Sequence, residues 1–411
     1  MITIYTILTQ LAQQLLKLIA LFNPKIKLFV DGRKNVWQHL KLHITPNDKT
    51  IWIHCASLGE FEQGLPIIDN LKKIYPSHKI VLTFFSPSGY EVKKNSGAAD
   101  IITYLPLDTK KNARNFINAV HPEFAIFVKY EFWPNYLAEL KSHNIDTYLV
   151  SGIFRKEQAF FKWFGKPMRK SLKTFTHFFV QNEVSEQLLH NINFKNTTLS
   201  GDTRFDRVVE ILSLDNSLEY IKLFKDDKIT IVYGSSWSED EAVYLDTINM
   251  SSKFVKHIIA PHNINTQQIE RLKRNISKSV ILYSEMDEKN LADYDVFIID
   301  TIGLLTKIYS YADIAFVGGG FKTGLHNTLE PATFGIPIVT GPLFEKFQEA
   351  KDLVNLKGLL VVNSKTEYLT TIEQLLNSED LRTAIGNINQ NYVIEKAGAT
   401  GKIMRYLKSQ N

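Results

Sequence analysis

The sequence predicts an α/β protein made of two doubly wound parallel sheets covered by helices. Short β-rich runs alternate with helical stretches along most of the chain, which is the signature of successive βαβ units. The alternation lapses once, between about residues 208 and 228, and then resumes. A chain of 411 residues is long enough for two domains of ordinary size. We therefore expect two similar domains facing a cleft.

The predicted strands of the first domain are the apolar runs 50–54, 80–85, 100–104, 124–128, 147–150 and 178–181. Those of the second are 229–233, 257–260, 280–283, 296–299, 313–317, 336–339 and 359–362. The domains then cover residues 31–207 and 229–390, with 208–228 connecting them. Residues 391–411 form a C-terminal helix with room to cross back to the first domain. Ligands of such sheets bind beside the carboxyl ends of the strands, so the loops that follow strands are where chemistry is expected.

Composition excludes several classes of protein. The chain has 48 Lys and Arg against 43 Asp and Glu, a formal net charge of +5, and 44% of its residues are hydrophobic. These values exclude a disordered, collagen-like or multi-span membrane protein. The small cationic excess is spread along the chain and gives no argument for a nucleic-acid partner. A single cysteine, Cys55, excludes an intrachain disulfide and a cysteine-based zinc site.

The first 30 residues contain no Asp or Glu and predict an amphipathic helix. One face is apolar, with side chains at alternating spacings of four and three: Ile4, Leu8, Leu11, Leu15, Leu18 and Phe22. Polar residues interrupt the run too often for a spanning helix, which needs about 20 mostly apolar residues. The cations that follow favour an anionic membrane surface: Lys25, Lys27, Arg33 and Lys34. A helix packed on its own domain or on a partner chain fits the same pattern.

Two carboxylates follow predicted strands of the first domain. Glu60 ends the turn Ser57-Leu58-Gly59-Glu60, where it is suited to act as a general base or, more simply, to stabilise the start of a helix. Glu131 lies among Lys129, Tyr130, Phe132 and Trp133 after a strongly apolar strand. Two interpretations are open: Glu131 is a partly desolvated carboxylate with a catalytic role, or it forms an ion pair with Lys129 or Arg155.

Arg204 closes the first domain in the run Ser200-Gly201-Asp202-Thr203-Arg204-Phe205-Asp206. A cation at that position can neutralise a phosphate or another anionic group of a substrate. The alternative is an ion pair with Asp202 or Asp206.

The second domain carries a glycine-rich segment, 318–330, between a strand and a helix expected to begin near Asn327. Backbone amides at that helix start predict a phosphate cradle, with Glu330 placed to accept hydrogen bonds from a ribose. The segment is not a Walker A loop, because Leu325 and His326 stand where Lys and Ser or Thr are required, and Thr323 breaks a G-x-G-x-x-G pattern. Residues 300–304 predict a second helix start whose backbone amides bind the same phosphate, with Thr301 as the helix N-cap. No acidic motif of the kind that binds a metal follows a strand, so a metal-independent reaction is expected.

These motifs, taken in their order along the chain, resemble the sequence motifs of the 3-deoxy-D-manno-octulosonic acid (Kdo) transferases of lipopolysaccharide synthesis. The segments that carry the resemblance extend from about residue 30 to residue 345: 52–54 with 57–60, 104–108, 131–135, 315–320 and 326–330. The resemblance implies a GT-B glycosyltransferase with two Rossmann-like domains, CMP-Kdo as donor, lipid IVA or a related lipid A precursor as acceptor, inversion at the anomeric carbon and no metal. With the first helix it implies a location at the inner membrane, with the catalytic domains on the cytoplasmic face.

The resemblance also implies roles for individual residues. Glu60 matches the general base of the family, Glu131 an acidic residue that stabilises the transition state, and Arg204 a site where many members have Lys. The implied CMP contacts are Pro261, His262, Ile302, Gly303, Leu304, Asn327, Thr328, Leu329 and Glu330. Three residues depart from the pattern of the family: Pro261 replaces an Arg, Leu304 a Glu and Leu325 a Gly.

Other functions remain open from the sequence. A heptosyltransferase or a UDP-sugar epimerase shares the doubly wound halves and a ribose-binding Glu but does not need the Ser-Leu-Gly-Glu turn. A non-catalytic, membrane-docked nucleotide sensor explains the first helix and the phosphate loop but gives no role to Glu60 and Glu131.

Overall fold

The computed structural model describes residues 2–322 and 324–410, with side chains from Tyr5 onward. The side chain of Ile4 and residue Thr323, both used in the sequence predictions, lie outside that description. The chain divides into two compact units, unit 1 with Met1–Arg207 and Ala397–Asn411 and unit 2 with Val208–Lys396. Each unit contains one seven-stranded parallel sheet. The predicted fold class, α/β with two doubly wound sheets, is confirmed.

The sheet of unit 1 has the strand order β3-β2-β1-β4-β5-β6-β7. Its strands are β1 Lys49–Cys55, β2 His78–Phe84, β3 Ile101–Tyr104, β4 Pro122–Val128, β5 Asp146–Gly152, β6 His177–Val180 and β7 Thr197–Leu199. The helices up to the end of this unit are α1 Ile2–Ile19, α2 Pro24–Asp31, α3 Val36–His43, α4 Leu58–Ile74, α5 Pro87–Lys93, α6 Lys110–Val120, α7 Pro134–Ser142, α8 Arg169–Leu172, α9 Glu183–Asn191 and α10 Thr203–Ile211. Strand β7 was not predicted, because its three residues are partly exposed and carry no apolar run.

The sheet of unit 2 has the order β10-β11-β9-β8-β12-β13-β14. Its strands are β8 Ile229–Ser236, β9 Val255–Pro261, β10 Val280–Leu282, β11 Val296–Ile298, β12 Ile314–Val317, β13 Ile338–Thr340 and β14 Leu359–Val361. Its helices are α11 Glu219–Lys225, α12 Ser238–Met250, α13 Thr266–Asn275, α14 Leu305–Ile308, α15 Leu329–Thr333, α16 Gln348–Asn355, α17 Lys365–Asn377 and α18 Glu379–Lys396.

The central strands are buried on both faces, as a parallel sheet covered by helices requires. In β1, Trp52 packs in the cluster of one sheet face with Phe127, and Ile53 packs in the cluster of the other with Phe61. Because successive side chains of a strand point to opposite faces, both faces must be apolar. This is why the strands read as continuous apolar runs in the sequence.

The N-terminal segment forms two helices, α1 and α2, rather than the single helix predicted over residues 1–30. The Asn23 side chain accepts hydrogen bonds from the amides of Lys25 and Ile26, and Pro24 occupies the first helical position, so a new helix starts there. Helix α1 leaves most of its predicted apolar face open: Leu8, Leu11, Leu15 and Leu18 are between 57% and 62% exposed. In the part of the chain that the structure describes, no helix combines the length and apolarity needed to cross a membrane.

Two predicted segment boundaries differ from those observed. Residues 208–228 belong to unit 2, because Ile221 and Phe224 of α11 are buried in its core. The C-terminal segment 391–411 contains the end of α18 and a separate helix, α19 Ala399–Gln410, which belongs to unit 1. The Asp206 carboxylate accepts hydrogen bonds from the amides of Gly398 and Thr400 at the start of α19. These contacts tie the last helix to the unit in which the chain begins.

Candidate active site

The carboxyl ends of β1 and β4 lie side by side in unit 1. The chain builds the sheet outward from β1 to β3 and then returns to place β4 on the other side of β1, which pairs with both β2 and β4. Such a reversal opens a crevice beside the strand ends, where ligands of doubly wound sheets bind. Strand β1 leads to Glu60 and β4 leads to Glu131. The sheet therefore brings the two predicted catalytic carboxylates to the same place.

Glu60 is the third residue of α4, and only 6% of its surface is exposed. The Ser57 hydroxyl donates a short hydrogen bond to Glu60 Oε2. This is the only hydrogen bond recorded for the Glu60 side chain among the described residues, so Oε1 keeps its lone pairs. A buried carboxylate with one oxygen held and the other available has the form required of a general base.

Glu131 lies next to a neutral histidine. His54 Nε2 accepts a hydrogen bond from Trp133 Nε1 at 3.1 Å, and His54 Nδ1 lies 2.9 Å from Thr83 Oγ1. Because an indole N–H only donates, Nε2 must carry a lone pair and Nδ1 the proton, which makes the imidazole neutral. The 3.8 Å between His54 Nε2 and Glu131 Oε2 is thus a contact of a carboxylate with an uncharged ring.

Two neighbouring groups respond to both carboxylates. Burial raises the pKa of the Cys55 thiol, and the charges of Glu60 and Glu131 raise it further. Burial and the charge of Glu60 also raise the pKa of the Tyr130 hydroxyl; Arg155 opposes this, and Glu131 adds to it. The two carboxylates therefore act on one small volume.

The predicted alternative for Glu131, an ion pair with Lys129 or Arg155, is not found. Both cations lie over the ring of Tyr130, with Lys129 Nζ at 5.3 Å and Arg155 Cζ at 5.9 Å from its centroid. Lys129 has a left-handed backbone, with φ 73°. Such a conformation is costly for a side chain of this kind and is often retained at functional sites.

Arg204 forms the ion pair with Asp202 that the sequence left as an alternative. Its Nη2 lies 2.8 Å from Asp202 Oδ2, while 34% of the Arg204 side chain stays exposed. Gln63, one turn after Glu60 on α4, donates to the other Asp202 oxygen at 2.9 Å. Burial opposes ionisation of Asp202, but the charge and hydrogen bonds of Arg204 outweigh it and lower the pKa of Asp202. The cation is thereby fixed to the helix that carries Glu60.

Unit 2 repeats the same reversal with β8 between β9 and β12. The glycines after β12 serve close packing there: a side chain on Gly318 would place its Cβ 2.4 Å from the Ser235 carbonyl oxygen. The Gly318 amide donates to the Gly234 carbonyl and the Gly319 amide to Asp240 Oδ2. Two of the three glycine amides are therefore engaged inside the protein.

The helix predicted near Asn327 is short and starts later, because α15 spans only Leu329–Thr333. The Leu329 amide is already bonded to Asn327 Oδ1 at 3.1 Å. Thr301 is likewise not the predicted N-cap, since α14 begins after Leu304. The predicted phosphate cradle thus has fewer available amides than its sequence indicates.

Glu330 connects two of the predicted donor segments. Its carboxylate accepts one hydrogen bond from Asn327 Nδ2 and one from Thr306 Oγ1, both at 2.8 Å. Thr306 follows the predicted contacts 302–304. Within them, Gly303 has φ 95° and Ile302 is 87% exposed, which leaves an apolar side chain open at this edge of the sheet.

An aromatic stack, which the sequence did not reveal, connects His262 to the loop after β12. The rings of Trp237 and His262 are stacked with centroids 4.4 Å apart, as are those of His262 and His326. Trp237 Nε1 donates to His326 Nε2 at 2.9 Å. Burial, and then the neighbouring His262, lower the pKa of His326 to about 4. Trp237 directly follows β8, but the predicted strand ended at residue 233, so the sequence did not mark Trp237 as a residue at a strand end.

The predicted donor residues therefore share one edge of the unit 2 sheet. Pro261 ends β9 and His262 follows it, residues 302–304 follow β11, and residues 327–330 follow β12. The stack connects the first group to the loop of the third, and Glu330 connects the second group to the third. Such a set of exposed apolar, aromatic and polar groups suits a nucleotide better than a metal.

Comparison with known proteins agrees with these features. A family model described as 3-deoxy-D-manno-octulosonic-acid transferase (kdotransferase) matches residues 33–207. The chain is 30% identical to a 3-deoxy-D-manno-octulosonic acid transferase of Rickettsia bellii, over 83% of this chain and 82% of that one. It is 29% identical to one of Haemophilus influenzae, over 88% of this chain and 87% of that one. The structure of a UDP-GlcNAc 2-epimerase from Neisseria meningitidis aligns with this chain with a TM-score of 0.62 at 14% identity. The alignment covers 88% of this chain and 100% of the epimerase chain, which shows a shared fold.

We expect His326 to make stability depend on pH. Its native pKa of about 4 lies below the value of about 6.5 in an unfolded chain, so the unfolded state binds more protons between these values. Stability is therefore lost as the pH falls from about 6.5 to about 4. The melting temperature of the His326→Gln variant, which keeps a hydrogen-bond acceptor for Trp237, should fall less over that range than that of the wild type. The exposed His143→Gln variant is the control, and equal pH dependence of the wild type and His326→Gln would contradict this assignment.

Proposed function

This chain belongs to the 3-deoxy-D-manno-octulosonic acid transferase family and is a glycosyltransferase, and from that premise we propose that it transfers Kdo from CMP-Kdo to lipid IVA or a related lipid A precursor. The observation that supports the proposal most strongly is the environment of Glu60. One oxygen of its buried carboxylate accepts a hydrogen bond from Ser57, and the other oxygen remains available to a substrate proton. The carboxylate also follows β1 at the strand reversal beside which Glu131 follows β4.

In this proposal Glu60 takes the proton from a glucosamine hydroxyl of the acceptor. The hydroxyl oxygen bonds to the anomeric carbon of Kdo as the bond from that carbon to the CMP oxygen breaks, which inverts the configuration. The transition state has oxocarbenium character, and the charge of Glu131 stabilises it. His54 remains neutral beside Glu131, because the Trp133 indole occupies its Nε2, and so leaves that charge uncompensated.

The leaving CMP carries a growing negative charge, which Arg204 is proposed to neutralise. Its pairing with Asp202 fixes the guanidinium without enclosing it, since a third of the side chain is exposed. The proposed donor contacts are Pro261, His262, Ile302, Gly303, Leu304, Asn327, Thr328, Leu329 and Glu330. Pro261, Leu304 and Leu325 provide no charged group there, so Glu330 and the aromatic stack carry more of the recognition. The proposal includes no metal ion, because the neutralisation is assigned to the Arg204 guanidinium.

The alternatives raised by the sequence are less well supported. A non-catalytic sensor does not fit a chain of a transferase family. A UDP-sugar epimerase shares the fold, but a similarity of 14% identity shows the fold alone.

We also propose that unit 1 binds an anionic membrane surface, at the cytoplasmic face of the inner membrane. The open leucines of α1 support this, and a second apolar element adds to it: Trp163 is 93% exposed and is followed by the partly exposed Phe164. Lys162 and Lys166 flank these aromatic side chains. Exposed aromatic rings beside lysines are typical of segments that lie at the membrane interface. Tyr5 of α1 and Met168, four residues after Phe164, line one small cavity, so the segment that follows these aromatic side chains lies beside the start of α1.

The Glu60→Gln variant should retain CMP-Kdo binding and lose about 10²- to 10⁴-fold in kcat, because glutamine keeps the shape of the side chain but cannot accept the proton. Glu62→Gln is the matched control on the same helix. Near-normal kcat for Glu60→Gln in assays with CMP-Kdo and lipid IVA would show that Glu60 is not the base.

The Leu11→Ser/Leu15→Ser variant should bind vesicles of phosphatidylglycerol and phosphatidylethanolamine at least about tenfold more weakly, since it removes apolar surface worth more than about 1.4 kcal/mol. Gln10→Ser/Gln14→Ser, on exposed polar positions of α1, is the control. Co-sedimentation measures the bound fraction, and unchanged binding of the leucine variant would refute membrane docking through α1.

A further inference from the structure

Unit 1 contains a cavity of about 590 Å³ formed by α1, α2 and the segment after β3. Its apolar lining includes Leu16, Ala20, Phe29, Trp37 and Leu107. The volume lies within the range of about 300–1000 Å³ usual for sites that bind small molecules. Nothing in the proposed transfer mechanism uses this cavity.

Arg33, which lines the cavity, is a partly buried cation without an acidic partner among the described residues. Its guanidinium donates to the carbonyl oxygens of Phe29, Leu105 and Phe85 at 2.8, 2.9 and 2.6 Å. The ring centroids of Phe29 and Tyr104 lie 3.6 and 4.7 Å from its Cζ. Burial lowers the pKa of Arg33 to about 9, which still leaves it charged near neutral pH. Arg33 was predicted to face an anionic membrane surface together with the neighbouring lysines. In the structure its guanidinium instead contacts carbonyl oxygens and aromatic rings of unit 1.

A buried positive charge is costly unless an anion compensates it. The three carbonyls supply dipoles but no net charge, and an arginine has five N–H donors, of which they occupy three. Three further cations, Lys17, Lys27 and Lys34, also line the cavity. Asp31 is the one acidic residue of the lining, and its carboxylate is paired with Lys34 at 2.6 Å. The cavity thus combines an apolar interior with an excess of positive charge.

The cavity lies close to the turn that carries Glu60. Arg33 Nη2 donates to the Phe85 carbonyl, and the Phe85 amide donates to the Ala56 carbonyl at 3.1 Å. Ala56 directly precedes Ser57, the partner of Glu60. On its other side the cavity is bounded by α1, whose leucines are open to the surroundings.

We propose that this cavity binds the acylated, phosphorylated part of the lipid acceptor, with an acyl chain along the apolar lining and a phosphate compensating Arg33 and the lysines. This inference rests on the proposed transfer to a lipid A precursor and assigns that acceptor a binding site. Inorganic phosphate would satisfy the charges but leave the apolar lining empty. A lipid that carries both phosphate and acyl chains satisfies both.

Binding is tested with lipid IVA in the absence of donor, by isothermal titration calorimetry. Leu16→Trp places a bulky side chain in the cavity and should raise the Kd for lipid IVA at least about tenfold. Gln14→Trp, at an exposed polar position of α1 outside the cavity, is the matched control and should bind as the wild type does. Deacylated lipid IVA should bind the wild type weakly and be insensitive to Leu16→Trp.

A second pair of variants avoids any effect on packing. Lys17→Glu/Lys27→Glu changes only exposed side chains and should also weaken lipid IVA binding at least about tenfold. Lys253→Glu/Lys289→Glu reverses two exposed charges of unit 2 and should leave that binding unchanged. Wild-type affinity in both Leu16→Trp and Lys17→Glu/Lys27→Glu would overturn the proposal. So would full competition by micelles of phosphatidylglycerol, which would make the cavity a general site for anionic lipids.

The same preparations separate this proposal from the transfer reaction. Cavity-dependent binding of lipid IVA without any transfer from CMP-Kdo would refute the proposed function and keep the cavity as a lipid site. Transfer by Leu16→Trp with an unchanged KM for lipid IVA would refute the cavity and keep the proposed function.

Discussion

The position of β1 between β2 and β4 is the constraint on which the candidate site of unit 1 depends. Parallel strands joined by right-handed crossovers place all their carboxyl ends at one edge, and the reversal of strand order opens a crevice there. Glu60 and Glu131 are 71 positions apart in the sequence, yet they follow the two strands that pair with each other at that reversal. Unit 2 uses the same constraint, with β8 between β9 and β12, to bring Trp237 beside His326.

Buried polar contacts then fix the groups that the sheet brings together. The Asp108 carboxylate accepts hydrogen bonds from the amides of Asn135 and Tyr136 at the start of α7, directly after the Glu131 turn. The Tyr5 hydroxyl of α1 donates to the same carboxylate at 2.9 Å. The helix with the open leucines is therefore joined, through one buried acid, to the loop that holds Glu131. Docking of α1 on a membrane would place that loop at a defined distance from the lipid surface.

The sequence was sufficient for the fold class, for thirteen of the fourteen strands and for the loops that carry the site, because buried parallel strands are continuous apolar runs. It was not sufficient for contacts that depend on three-dimensional proximity. The end of α1 could have been predicted from Asn23 and Pro24, which favour the start of a new helix. The continuous apolar pattern of the segment led to the prediction of one helix instead. Arg33 was predicted to face a membrane surface because lysines surround it in the sequence, whereas in the structure it points into unit 1. The internal bonds of Gly318 and Gly319 depend on β8 and Asp240, which are distant in sequence, so a glycine-rich run looked more like an open phosphate loop than it is.

The proposed reaction is transfer of Kdo from a CMP-activated donor to a phosphorylated, acylated disaccharide. Mass spectrometry of the lipid after incubation of the full chain with lipid IVA and excess CMP-Kdo tests it most directly. We expect the mass of lipid IVA to increase by one or more Kdo units, with release of an equal number of CMP molecules. An unchanged lipid mass in the presence of both intact substrates, or CMP release without any gain in lipid mass, would contradict it.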